Sequence, residues 1–109
     1  MTGDWSDLGQ RLWAATGADE ALDRDLAAMF AQAQAPFTGS VEACRALVAA
    51  ALPDWRLHLG YGVSGMFPYA SLRREGVTVV SDAPTVPLAI LRSAVAAKAS
   101  PEPSSPPGV

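Results

Sequence analysis

An α+β fold is predicted for this 109-residue chain: a small antiparallel sheet of two or three strands sandwiched by helices, with an N-terminal helical pair alongside. Three observations predict it. Apolar residues recur with helical period in four segments, the period falls to 2 between Trp55 and Val80, and Gly, Pro and Asp clusters separate these runs. With 50% hydrophobic residues, the chain has the size and composition of one globular domain, whose core needs neither disulfide nor structural metal.

The first helix is expected over about residues 4–16, because Trp5, Leu8 and Leu12 fall at i, i+3 and i+7 behind an Asp4 cap. Gly17 is placed as its left-handed terminator. The second, about 19–32, opens with Asp19 and Glu20 in a turn whose dipole favours acids, and Leu22, Leu26, Met29 and Phe30 carry its period. Pro36 and Gly39 break that pattern. Ser40 then reads as an N-cap, and Val41, Cys44, Leu47, Val48, Ala51 and Leu52 form one apolar face that stops at Pro53.

From Asp54 onward, Trp55, Leu57 and Leu59 alternate with Arg56, His58 and Gly60, which predicts a strand with the first set in the core. Gly60–Gly65 is a turn-rich link, and Phe67–Arg74 is a second strand whose Pro68 requires an edge or a strand start. Glu75–Gly76 is a turn before a third strand, Val77–Val80. Asp82–Thr85 supplies helix-start residues, and Leu88, Leu91 and Val95 share a face of a last helix reaching about Ala99. Ser100–Val109 has hardly any apolar content and is expected to be a disordered tail.

Composition narrows the functions. Cys44 is the single cysteine and His58 the single histidine, so an internal disulfide and a Cys/His zinc site are both excluded. Residues 1–35 hold six acids and two bases, a balance of −4, while residues 36–109 hold five acids and six bases, +1. The net −3 argues against holding a polyanion by bulk charge, so direct nucleic-acid binding is not expected. No apolar run reaches the ~18 residues of a membrane span, and Met1–Asp7 lacks the regions of a signal peptide. A cytoplasmic protein without a membrane partner is the expectation.

Several constellations invite chemistry, and each has a plainer reading. Gly60-Tyr61-Gly62-Val63-Ser64-Gly65 matches G-x-G-x-x-G after a predicted strand, but Met66-Phe67-Pro68-Tyr69 follows where a helix should begin, so a hairpin connection is the better account. A nucleophile–base pair would need His58, whose alternate strand position equally suits an exposed surface histidine. Cys44 sits on an apolar helix face and reads as core. Asp19, Glu20, Asp23 and Asp25 form an acidic surface that could dock a basic partner, or are simply a solvated helix start; no metal is expected there. Arg56, Arg73 and Arg74, interleaved with Tyr61, Tyr69 and His58, combine guanidinium forks with ring faces, the chemistry for an anion carrying a base. The competing account is a polar outer sheet face. No catalytic residues and no cofactor are expected.

The strings PFTGSVEACRALVAAALPDWRLHLG and APTVPLAILRSAVAA carry a resemblance. A Pro-aromatic-Thr-x-Ser segment at Pro36–Ser40, a Trp-containing strand at Trp55–Leu59 and an Ala-x-Thr-x-x-Leu-Ala start at Ala83–Ala89 resemble the phage ABA sandwich domain family over residues 36–97. Residues 1–35 match less well, and the charged or aromatic positions that longer members insert before Pro36 are absent or replaced. The resemblance implies a phage or prophage origin, and it carries no general catalytic motif. The expected function is that of a non-enzymatic accessory counter-defence protein, which binds and neutralises a host immune component in the host cytoplasm. That target is a protein effector such as a CRISPR complex or a nucleotide-derived signal. The alternative is a structural or assembly module of a prophage or gene-transfer particle, and a homo-oligomer is compatible with either.

Overall fold

The computed structural model describes residues 5–61 and 67–99. Four helices, a short 3-10 turn and three strands follow in the order α1 (Trp5–Ala14), α2 (Glu20–Phe30), the turn Phe37–Gly39, α3 (Val41–Ala51), β1 (Arg56–Tyr61), β2 (Pro68–Arg74), β3 (Val77–Asp82) and α4 (Val86–Ala99). The chain is therefore α+β, with an antiparallel sheet ordered β1-β2-β3 and two N-terminal helices. No helix among the described residues is long and apolar enough to cross a membrane. Asp4, the Gly62–Gly65 part of the glycine-rich link and the Ser100–Val109 tail lie outside the described residues.

Side-chain caps set the helix starts. Asp19 Oδ1 accepts from the Leu22 N–H at 3.1 Å, Ser40 Oγ from the Ala43 N–H at 3.1 Å, and Thr85 Oγ1 from the Leu88 N–H at 3.3 Å. Asp82, read as part of the last helix start, instead closes β3. Helix α1 stops at Ala14, short of Gly17, and Gly17 does not adopt positive φ. Helix α2 ends in Ala31, which itself takes the left-handed conformation at φ 56°.

Helix α4 is the middle layer. It packs on β2 and β3 with one side and on α1 and α3 with the other, so Leu88, Ile90, Leu91, Ala94 and Val95 are buried around most of its circumference. Its alanines allow the close approach, and Ser93 Oγ donates to the Ala70 carbonyl of β2 at 2.7 Å. Because α4 covers β2 and β3, Ala70 and Leu72 are fully buried, while Leu57 and Leu59 on edge strand β1 are only half-buried. The expectation of a fully buried Leu57–Leu59 face is corrected accordingly; Trp55, just before the strand, is buried. Pro68 opens the central strand, where a missing N–H removes no interior ladder bond.

Glu75 and Gly76 both have positive φ, 43° and 85°, and join β2 to β3 across the Arg74–Val77 pair, as a two-residue type I′ turn requires. The Pro36–Ser40 segment works as a clasp: Phe37 plugs the core, Ser40 caps α3, and Thr38 ties back to α2.

Candidate functional site

The pleat sorts the side chains of the sheet. Arg56 lies opposite Arg73, His58 opposite Ser71 and Gly60 opposite Tyr69, all on the face turned away from α4. Thr78, Val80 and Asp82 continue these three rows on β3. The His58 and Tyr69 rings stand 6.0 Å apart at 41°. A Cβ at Gly60 would come within 2.9 Å of the Tyr69 ring, so that ring lies across the bare backbone. Packing therefore accounts for the first glycine of the G-x-G-x-x-G match.

The five predicted ligand residues do not form one cluster. Arg56, Tyr69 and Arg73 share the open face, whereas Tyr61 and Arg74 have the opposite parity and sit at opposite ends of the strands. Tyr61 pairs with Pro68 and is 67% exposed, away from the arginines. The Arg74 guanidinium lies 5.1 Å over the Trp55 ring, and its Nε is buried without a hydrogen-bond partner. Arg74 still rejoins the others at the corner of the sheet, where Asp54, Arg56, Arg73, Arg74 and Glu75 line an open cavity of about 570 Å³. Neither Arg56 nor Arg73 has an ion-pair partner among the described residues.

The alternative acidic surface is largely absorbed by the fold. Asp19 caps α2, Asp25 pairs with Arg11 across the α1–α2 contact, and Asp23 is 7% exposed. Asp23 Oδ1 accepts from the Thr38 N–H at 2.8 Å and from the Thr38 hydroxyl at 2.7 Å. Glu20 alone of the four remains an exposed acid without such a role. Among the described residues no three His, Cys, Asp or Glu side chains gather as a metal site.

Cys44 is fully buried, with its Sγ 2.9 Å from the Phe37 carbonyl oxygen. Burial, with Asp23 adding to it, pushes the thiol from 9.0 up to about 12. The native protein is expected to resist a thiol reagent that labels Cys44 at once in denaturant; rapid native labelling would show the helix face open. A raised folded pKa stabilises the fold fully below about pH 9, and this contribution is lost as pH rises towards about 12.

Arg92 carries contacts that the sequence reading did not single out. Its Nε donates to the Leu12 carbonyl at 3.1 Å, Nη1 to Asp82 at 2.8 Å and Nη2 to Trp13 at 2.7 Å. The guanidinium also stacks 4.4 Å over the Trp13 ring, which is 66% exposed. Burial lowers its pKa, and the Asp82 carboxylate opposes that shift. The only available signal was a charge in the middle of the apolar or small-residue run Val86–Ala97 of α4, ahead of Lys98 in the last turn. Around it, Trp13, Phe67, Asp82, Pro84 and Arg92 line a second cavity of about 290 Å³.

No protein-family model, curated protein or solved structure matches the chain.

Proposed function

We propose that the protein works by capture, taking an anionic group of its target between Arg56 and Arg73 without any catalytic step. One observation carries this reading: Arg56 and Arg73 are directly opposed residues on an open sheet face, and neither is paired with a carboxylate among the described residues. Like charges at opposed positions destabilise a strand pair, and an anion bridging them removes the penalty while using both forks. Tyr69 and His58 offer ring faces in the adjoining rows. Asp54 and Glu75 leave the corner cavity only one positive charge in excess, which favours a compact anion over a polyanion.

The resemblance of residues 36–97 supports a phage or prophage origin, and for a small acidic phage protein without a catalytic constellation the target we propose is a host immune component. A nucleotide-derived signal supplies both an anion and a ring, so it suits these residues better than an acidic patch on an effector protein. The reading as an assembly module of a phage particle draws on a different observation, the exposed Trp13, Phe67 and Val80.

Pull-down from a bacterial lysate, with mass spectrometry of both proteins and small molecules, tests the capture reading. The wild-type protein is expected to retain an anionic species, and Arg56→Glu with Arg73→Glu to lose it by at least about tenfold at unchanged melting temperature. Glu20→Lys is the matched control, since Asp23 and Asp25 serve the fold. Equal recovery on wild type and reversal, or none on either, overturns the proposal.

A further inference from the structure

The two edges of the sheet are not alike. Edge strand β1 carries Arg56 and His58, charged or chargeable groups of the kind that discourage pairing. Edge strand β3 reads Val77-Thr78-Val79-Val80-Ser81 before Asp82, with no charge, proline or bulge over five residues, and Val80 is 61% exposed. Over these five residues it lacks the charge, proline and bulge that natural edges use against a second strand.

Its hydrogen-bonding direction follows from the turn. In a two-residue hairpin the flanking Arg74–Val77 pair is hydrogen-bonded, so Val77, Val79 and Ser81 direct their N–H and C=O towards β2. Two bonds just beyond agree with this alternation: the Ala83 N–H points inward to the Pro68 carbonyl at 3.1 Å, and the Asp82 carbonyl points outward to Arg92 Nη1 at 2.8 Å. Thr78 and Val80 therefore present their N–H and C=O to the open edge, and no other described backbone or side chain takes them.

We infer that β3 pairs antiparallel with β3 of a second copy of this chain, about a two-fold axis at Val79. The free groups select that register. Thr78 then meets Val80 of the second copy, and Val80 meets its Thr78, so four backbone hydrogen bonds form between groups that are otherwise unpartnered. Val77 falls opposite Ser81, Val79 opposite Val79, and Asp82 opposite Gly76, so no like charges meet. An axis at Val80 would instead set Thr78 against Asp82, whose carbonyl Arg92 already holds. The result is one six-stranded sheet with an Arg56–Arg73 pair towards each end of a continuous open face. This association is independent of what the arginines bind.

Light scattering on the eluting protein is expected to give twice the chain mass. Val80→Pro removes an outward N–H from each copy while sparing the ladder to β2, and should weaken association by about 10- to 100-fold, the worth of two backbone hydrogen bonds. Covalent trapping covers the case in which that variant does not fold. Val79 and its symmetry mate form a non-hydrogen-bonded pair with Cα atoms about 4.5 Å apart, within disulfide reach, so Val79→Cys should cross-link on mild oxidation while buried Cys44 does not. A monomer at every concentration, or a dimer indifferent to Val80→Pro, overturns the pairing. Cross-linking through Val80→Cys in place of Val79→Cys overturns the axis.

Discussion

Asp23→Ala is expected to destabilise the protein by about 3–5 kcal/mol in denaturant unfolding, although Asp23 stands among three other acids on a helix start. Its carboxylate is buried and receives two bonds, from the Thr38 N–H and the Thr38 hydroxyl. Each bond to a charged acceptor is worth about 1.5–3 kcal/mol, and truncation leaves the Thr38 N–H without an acceptor at a residue that is 1% exposed, while the hydroxyl keeps only the weaker Asp19 carbonyl at 3.2 Å. The damage reaches further than one loop, because Thr38 lies between Phe37, which fills the core, and Ser40, which caps α3. Thr38→Val in the same background should add only the cost of the Asp19 N–H, which the hydroxyl oxygen accepts at 2.7 Å, since the bond to Asp23 is already gone; a coupling above about 0.5 kcal/mol is the expected mark of direct contact. A loss under about 0.5 kcal/mol for Asp23→Ala would mean that the carboxylate is solvated and free to face a partner.

How far the sequence could be read depended on how local each cause was. Helix α3 was legible because cap, apolar face and terminating proline lie within 14 consecutive residues, 40–53. The four acids of the second helix looked equivalent in sequence. Separating Asp23 from Glu20 required knowing that Thr38 returns to it across 15 positions. Alternation reveals which β1 residues share a face, but not that β1 is an edge strand, so the pattern alone predicts more burial for Leu57 and Leu59 than they have. The division of the ligand set was partly available beforehand: Arg73 and Arg74 are neighbours in one strand, and neighbours point to opposite faces. That both still reach one cavity depends on Trp55 holding the Arg74 guanidinium at the corner. Helix α4 read as one-sided because its alanines are silent in a hydrophobic pattern. Only the layering shows that they are needed for contact on both sides.

Arg92→Ala is the second large effect, about 2–4 kcal/mol in the same measurement. The guanidinium bonds the last-turn carbonyls of α1 and the final carbonyl of β3 from the middle of α4, so one side chain fastens three elements. Carbonyls at a helix end lack their i+4 donor, and besides Arg92 the Leu12 carbonyl has only a shared 3.3 Å bond from the Ala15 N–H among the described residues. The bond to Leu12 is partly buried and its loss is not made good by solvent, whereas water can replace the two exposed bonds to Trp13 and Asp82. Stacking on Trp13 adds about 0.5–1 kcal/mol. Lysine has a single charged centre and no planar fork, so Arg92→Lys should recover less than half of the loss. Hydrogen exchange locates the damage: amides in the last turn of α1 should exchange faster, while those of α3, which Arg92 does not touch, keep their protection. Uniform acceleration across both helices would instead mean that Arg92 supports the core as a whole. A cost under about 0.5 kcal/mol would show that the packing of Leu8 and Leu12 holds the junction by itself.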